Sequence, residues 1–324
     1  MSKCCLIYYS RLHLLPSVHW LAGVLLLLMA IPATADPKNI LAIVSKDSPS
    51  YQNVVRTLEL HLRKTPELAL QTIYLPELPG TESIQQADLI VTIGTLATRR
   101  ALKLVTDKPI LSTFIPRRTF QTLVDRDDAL KNRQRQGLLS ALYLEQPFQR
   151  QLKLLSLIKP DIKVLGTIIG PVSKDELGPL EQAIAQYHWD LHLEQLDEND
   201  NPIQKLTPLV ASSDAFLAVP DKSVFNRSTA KWILLMTFRQ RIPLIAYSKR
   251  YVDAGAVAAV FSTPQTVGEE TAQLIQQWQA AKKQSLPAST YPLLFDLSVN
   301  QGTARSLRLK LPSLDELHQR LEER

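Results

Sequence analysis

The sequence predicts an α/β protein made of two doubly wound parallel-sheet lobes joined by a hinge. Three observations lead there. From Asn39 onward, short apolar runs of strand length alternate with segments of helical periodicity, as in parallel sheets covered on both faces. The alternation starts afresh after Leu144. Finally, Asn226–Pro264 contains a complete unit. Asn226 can cap a helix through Trp232, Leu235 and Phe238. A strand follows Pro243, a second spans Ala256 to Phe261, and Thr263-Pro264 supplies a cap and first-turn proline for another helix.

In chain order, Ile40 to Val44 reads as a strand, and Ser48-Pro49 opens a helix with Val54, Val55, Leu58 and Leu62 on one stripe. Leu70 to Leu75 and Leu89 to Gly94 are the next strands, the latter opening on a helix from Thr95 to Val105. Strands over Pro109–Ile115 and Leu138–Leu144 complete the first set. Lys131-Asn-Arg133-Gln-Arg135 is the densest basic cluster and reads as a solvated loop. The second set runs through a helix Pro147–Ile158, a strand Val164–Gly170, a helix Glu176–Tyr187 and a strand Leu191–Leu196. Asn201-Pro202 caps the next helix, and Ala215–Pro220 is again a strand. A helix Val267–Ala281, a proline-rich connector Ser285–Pro292, a strand Leu293–Val299 and a short terminal helix form the tail. The expected division is residues 36–143 with 264–290 in the first lobe and 144–263 with 291–324 in the second.

The amino terminus reads as an export signal over residues 1–35. Lys3 and Arg11 flank an uncharged run from Trp20 to Ile31, too short to span a bilayer, and Ala33-Thr34-Ala35 suits cleavage near Ala35. A periplasmic location is therefore expected. Cys4 and Cys5 precede that run, so the remainder has neither a disulfide framework nor a thiol nucleophile. Without Lys3 and Arg11 the balance is 35 basic against 31 acidic residues, a dispersed excess that argues against nucleic acid as partner. His-Glu-x-x-His, Gly-x-Ser-x-Gly, the phosphate loop and the dinucleotide fingerprint are all missing, so no enzyme is expected. His188 and His192 sit across a helix end and do not share a helical face. Neither metal nor cofactor is expected.

Several segments in register, LIVTIGTLATRRAL, LSALYLEQPFQRQLKLL, FLAVPDKSVFNRSTAKWILL and YVDAGAVAAVFSTPQTVGEE, resemble the substrate-binding proteins of ABC transporters with the type I periplasmic binding fold. FDLSVNQGTARSLRLKLP resembles that group's closing segment. The resemblance implies lobes that close on a small molecule, such as an amino acid, and deliver it to an inner-membrane ABC permease. A sensory subunit acting on a membrane receptor or kinase is the alternative. The chain departs from the group at Lys249-Arg250, where relatives often carry a proline, and at His188 and Arg308, where glycine is usual.

Ligands of open α/β sheets sit beyond the carboxyl ends of the strands. That rule selects Ser45, Asp47, Gly94, Thr95, Thr98 and Arg117 in the first lobe, and Gly170, Asp221, Asn226, Tyr247 and Ser248 in the second. Thr95 and Thr98, at a helix start, are the expected carboxylate donors. Arg117 and Arg118 are a candidate two-pronged clamp. Asp221, which matches an aspartate in the family's loop, is the expected ammonium partner, and Tyr247 is a candidate stacking ring.

Overall fold

The computed structural model describes residues 36–77, 80–281 and 285–323. The expected export signal, residues 1–35, lies outside them. Residues from Lys38 onward form one compact unit, in which two sheets carry the fold.

The first sheet is wholly parallel, in the order β2-β1-β3-β4-β5. Its elements run β1 (Lys38–Val44), α1 (Pro49–Leu62), β2 (Leu68–Tyr74), α2 (Thr81–Gln86), β3 (Leu89–Ile93), α3 (Thr95–Leu104), β4 (Ile110–Ile115), α4 (Arg117–Asp125), α5 (Asp128–Arg135) and β5 (Leu139–Tyr143). The chain continues with α6 (Phe148–Ile158), β6 (Val164–Ile169), a 3-10 turn (Lys174–Glu176), α7 (Leu177–Ile184), β7 (Asp190–Gln195), α8 (Pro202–Ala211), β8 (Ala215–Leu217), α9 (Arg227–Arg239), β9 (Leu244–Ala246), α10 (Lys249–Asp253) and β10 (Ala258–Phe261). After α11 (Pro264–Ala280) come β11 (Asp296–Val299), α12 (Gln301–Ser306) and α13 (Leu314–Glu322). The second sheet is ordered β11-β10-β9-β8-β6-β7, with β11 alone antiparallel, paired to β10.

Helices cover both faces of each sheet, which explains why β3, β5 and β8 are buried at every position. On one face of the first sheet, Val54, Val55, Leu58 and Leu62 of α1 pack with Val267, Ile275 and Trp278 of α11. Each fully buried aliphatic side chain there contributes roughly 1.5–3 kcal/mol. The other face packs Ala97, Ala101, Phe120 and Val124. In the second sheet, Leu152 and Leu155 of α6 meet Leu317 and Leu321 of α13 on one side, and Leu206, Val210 and Ile233 fill the other.

Six of the thirteen α-helices among the described residues start on a side-chain cap. Asn226 accepts from the N–H groups of Ser228 and Thr229, Asn201 accepts from Ile203, and Thr263 forms a capping box with Thr266. Ser48 is a correction, since its side chain makes no cap bond. A second correction concerns Lys131–Arg135, which belongs to the helix α5. Asp127 caps that helix, while the Arg133 guanidinium is buried and donates to the carbonyls of Val105 and Lys108, both at 2.6 Å. Its apolar stripe is nearly reduced to Leu130, so hydrophobic periodicity concealed it. Helix α9 buries Thr229, Ile233 and Thr237 and leaves Leu235 and Phe238 exposed.

Three segments link the sheets: Leu144–Pro147, Phe261–Pro264 and Pro292–Phe295. One side chain touches all three. Gln146, in the first, donates through Nε2 to Ser262 Oγ at 2.8 Å and to the Leu294 carbonyl at 3.1 Å. Arg150 donates to Gln146 Oε1 and to the Pro292 carbonyl (2.8 Å). The buried Glu270 carboxylate accepts from the Leu293 and Leu294 N–H groups at 2.8–3.0 Å. Before crossing, the connector runs beside β5, with Thr290 donating to the Ala141 carbonyl and Tyr143 donating to that of Thr290.

Four helix ends close with paired backbone bonds and a left-handed residue. Two carry glycine there, Gly137 and Gly255, and two carry arginine, Arg241 (φ 58°) and Arg308 (φ 61°). At Arg308, the Leu309 N–H reaches Ala304 and the Arg308 N–H reaches Arg305. A side chain at positive φ is strained. Arg308→Gly is therefore expected to raise stability by about 0.5–1 kcal/mol in urea unfolding; a loss would show that the guanidinium itself supports the tail.

Candidate functional site

Arg117 follows β4, and the 3-10 turn follows β6. The Arg117 guanidinium donates to Glu176 at 2.8 Å and to the Asp175 carbonyl at 3.0 Å, while Gln121 on its own helix takes a third bond at 2.6 Å. Arg118 pairs with Asp175 at 3.0 Å and donates to the Pro171 carbonyl at 3.1 Å. These bonds join the segment after β4 in the first lobe to the segment after β6 in the second. They also reassign the arginines: both are engaged from lobe to lobe, so the two-pronged clamp on a ligand gives way to a latch.

Behind the latch lies a titratable cluster. Glu145, in the first linking segment, accepts from the Arg117 N–H at 2.9 Å. Burial pushes its pKa up to about 7, against the lowering effect of that N–H and with added repulsion from Glu176. Tyr291 stands nearby, pushed up to about 12, chiefly by burial. It packs edge-on to Tyr143 with ring centroids 5.4 Å apart.

The first lobe's candidates divide into two groups. Ser45, Gly94 and Tyr51 converge: a Cβ on Gly94 would lie 2.7 Å from Ser45 Oγ and 2.6 Å from the Tyr51 ring. Gly94 has φ 90°, which suits glycine, and it opens α3. Ser45 Oγ accepts the Ala97 N–H at 3.0 Å, and the Gly94 carbonyl accepts that of Thr98. That leaves the first two N–H groups of the helix, those of Thr95 and Leu96, without an acceptor among the described residues. Thr95 is half-buried at that start. Thr98 is not part of it: its hydroxyl is fully buried and bonded to Thr92 Oγ1 (2.9 Å) and the Gly94 carbonyl (3.1 Å). Asp47 is exposed and holds Gln52 at 2.6 Å.

In the second lobe, Asp221 changes role. It is 3 % exposed, and its carboxylate accepts the Ser173 N–H and hydroxyl (both 2.8 Å) together with the Ser223 N–H (2.8 Å) and hydroxyl. With four donors supplied, it straps the loop after β6 to the loop after β8 and does not await an ammonium. Burial raises its pKa, but the bonds from Ser223 and Ser173 more than offset this and hold it below the ordinary aspartate value. Gly170 exists for that strap: a Cβ there would meet Asp221 Oδ2 at 2.7 Å and Val224 at 2.6 Å. Asn226 is occupied with its helix. Ser248 precedes α10 without capping it.

The sequence reading singled out Tyr247 but missed the other rings, Tyr51, Phe114, Phe225 and Tyr251. Tyr51 meets Phe114 edge-on at 5.2 Å in the first lobe. Phe114 lies at φ 53°, where the pairing of β4 with β5 slips by a bulge; such strain clusters at functional sites. Tyr247 contacts Tyr251 at 5.1 Å and Phe225 at 6.3 Å in the second lobe. Burial and its Tyr251 neighbour raise the Tyr247 pKa. The i, i+4 spacing of Tyr247 and Tyr251 was a readable signal. Elsewhere, a cavity of about 630 Å³ lies between α6 and α13, lined by Arg150, Tyr187 and Leu293.

The fold and cleft define a two-lobed binding protein of the type I periplasmic class. A family model described as ABC transporter substrate binding protein matches residues 82–315, and the chain belongs to that family. It is similar in structure to a ligand-free, open substrate-binding protein with adhesive properties from Clostridium difficile, at a TM-score of 0.66 and 18% identity, covering 86% of this chain and 97% of that one. A domain from Streptococcus pneumonia in complex with L-Trp gives a TM-score of 0.54 at 15% identity, covering 88% and 98%. An arabinose-binding protein from Geobacillus stearothermophilus gives 0.51 at 11%, covering 84% and 99%. No curated protein sequence matches the chain.

Two outcomes follow from the carboxylates. Asp221→Ala should cost about 2–4 kcal/mol, because four buried donors lose their acceptor. Asp221's native contribution is full above the ordinary aspartate pKa of about 3.9 and is lost as pH falls through the lower folded value. An unchanged melting temperature in the variant would refute the strap. Glu145 has the opposite sign. Its fold favours the protonated form, so ionisation costs stability as pH climbs from the ordinary glutamate pKa to about 7. Glu145→Gln should be neutral near pH 4 and stabilising near pH 8, on the order of 1 kcal/mol given its partial solvent access, in urea melts at both pH values.

Proposed function

We propose that this protein is exported to the periplasm, captures a small molecule with an aromatic or apolar body, such as an amino acid, between its lobes, and presents it to an ABC permease. The observation that carries the reading is the pair of aromatic groups in the segments at and just after the strands: Tyr51 of α1 with Phe114 of β4 in the first lobe, and Phe225 and Tyr247 with Tyr251 of α10 in the second. The start of α3 adds polar recognition. Free N–H groups at Thr95 and Leu96, with the helix dipole behind them, suit a carboxylate. The L-Trp complex of the streptococcal neighbour supports an aromatic amino acid as the first ligand to try. Membership of a transport family favours delivery to a permease over the sensory alternative.

Capture works by differential affinity. A ligand that touches both sheets favours the closed arrangement only to the extent that it binds that arrangement more tightly. The Arg117–Glu176 and Arg118–Asp175 bonds bias the same equilibrium.

Thermal-shift and calorimetric titration with the common amino acids is the direct test. Aromatic members are expected to stabilise the protein, and Tyr51→Ala and Tyr247→Ala should each weaken binding about three- to tenfold. No stabilisation by any amino acid would reject this ligand class. Full affinity in both variants would reject the aromatic site.

A further inference from the structure

We propose that the outward face of α9 is a docking surface for an anionic lipid bilayer. This inference is independent of which solute the cleft binds. Leu235 and Phe238 on this helix are each 46% exposed. The helix carries Trp232 and Met236 half-buried beside them. Lys231 and Leu235, and Leu235 and Arg239, are four residues apart, and Leu235 and Phe238 three apart. All four therefore share one helical face.

Along the chain, the charge of this stretch has a single sign. From Lys222 through Arg250 the chain holds seven basic residues and not one Asp or Glu. Arg227, Lys231, Arg239 and Arg241 are all exposed along or just beyond the helix. Among the described residues, the ion pair nearest in sequence joins Lys249 to Asp253 and does not involve them. Asp221, the acid that precedes the stretch, is buried under its four donors.

A face that joins exposed Leu and Phe to an unrelieved basic rim fits an occupant offering both an apolar interior and negative charge at its surface. A bilayer containing anionic lipid offers both along one plane. A helix lying in the interface would sink Leu235 and Phe238 below the headgroups while the arginines and lysine meet phosphates. Thirteen residues give about 20 Å of contact. Arg241 extends the basic rim past the helix end because its left-handed backbone closes the last turn there.

The test uses the chain from Lys38 onward, which forms a compact unit, so that residues 1–37 add no membrane affinity. Sedimentation with vesicles of equal parts phosphatidylglycerol and phosphatidylcholine is compared with pure phosphatidylcholine. The expected result is binding to the anionic vesicles, release at high salt as screening shortens, and weak or no binding to the neutral ones. Leu235→Ser/Phe238→Ser and Lys231→Glu/Arg239→Glu should each lower the partition coefficient about tenfold or more without lowering the melting temperature. Absence of binding, equal binding to both vesicle types, or full binding by either folded double variant would overturn the proposal. So would a concentration-dependent dimer, or capture by an acidic protein, that the same substitutions abolish in the absence of lipid binding. Should either variant fail to fold, Leu235→Gln alone and Lys231→Gln alone, with smaller losses expected in the same direction, decide the matter.

Discussion

The structure depends most on how three separate strands of chain are held together where they pass between the sheets. Gln146 reaches the other two with one amide, and Glu270 and Arg150 hold the third by its backbone. Buried polar groups must be paired, and here the pairing is among the crossings themselves. The three crossings are thus tied to one another by bonds made within the joint itself. Glu270 is raised in pKa by burial, although the Leu293 and Leu294 N–H groups work against it. Its value to the joint lies in two adjacent N–H donors that would otherwise have no acceptor.

A second theme is where polar side chains spend their hydrogen bonds. Thr98 and Asp221 occupy strand-end positions that a ligand-binding residue would occupy, yet both are saturated inside their own lobes. They preorganise the loops: Thr98 ties the start of α3 to β3, and Asp221 joins two loops that flank the cleft. Near these positions stand two clusters of rings, the start of α3 and the Arg117–Glu176 pair. Loops held rigid by their own hydrogen bonds need no ordering when another molecule meets them.

The basic residues show how one residue type takes three jobs. Arg133 is buried and serves carbonyls at the end of α3. Arg117 and Arg118 bridge the lobes. Arg241 and Arg308 stand in left-handed helix ends that would suit glycine, where backbone geometry rather than charge sets their place. A net charge of +6 says nothing about this division, because the burial and partner of each guanidinium differ.

The alternation of two-lobe βα units, the order of strands along the chain and the caps at Asn201, Asn226 and Thr263 were legible because each rests on residues within a few positions of one another. The left-handed turn at Arg308 was foreshadowed by a position where relatives carry glycine. The short helices Thr81–Gln86 and Asp128–Arg135 escaped notice because little apolar periodicity marks them, and Arg117–Asp125 did so although Phe120, Leu123 and Val124 form a short apolar stripe. The site was legible only in outline: the strand-end rule selects positions such as Ser45, Gly94 and Tyr247 but cannot say which side chains are already taken, as Ser45 Oγ is by the Ala97 N–H. Asp221 is 48 residues from Ser173, and Arg117 is 59 from Glu176. Partners so distant are chosen by which strands the sheet places side by side and by how the lobes meet, and local sequence carries no record of either.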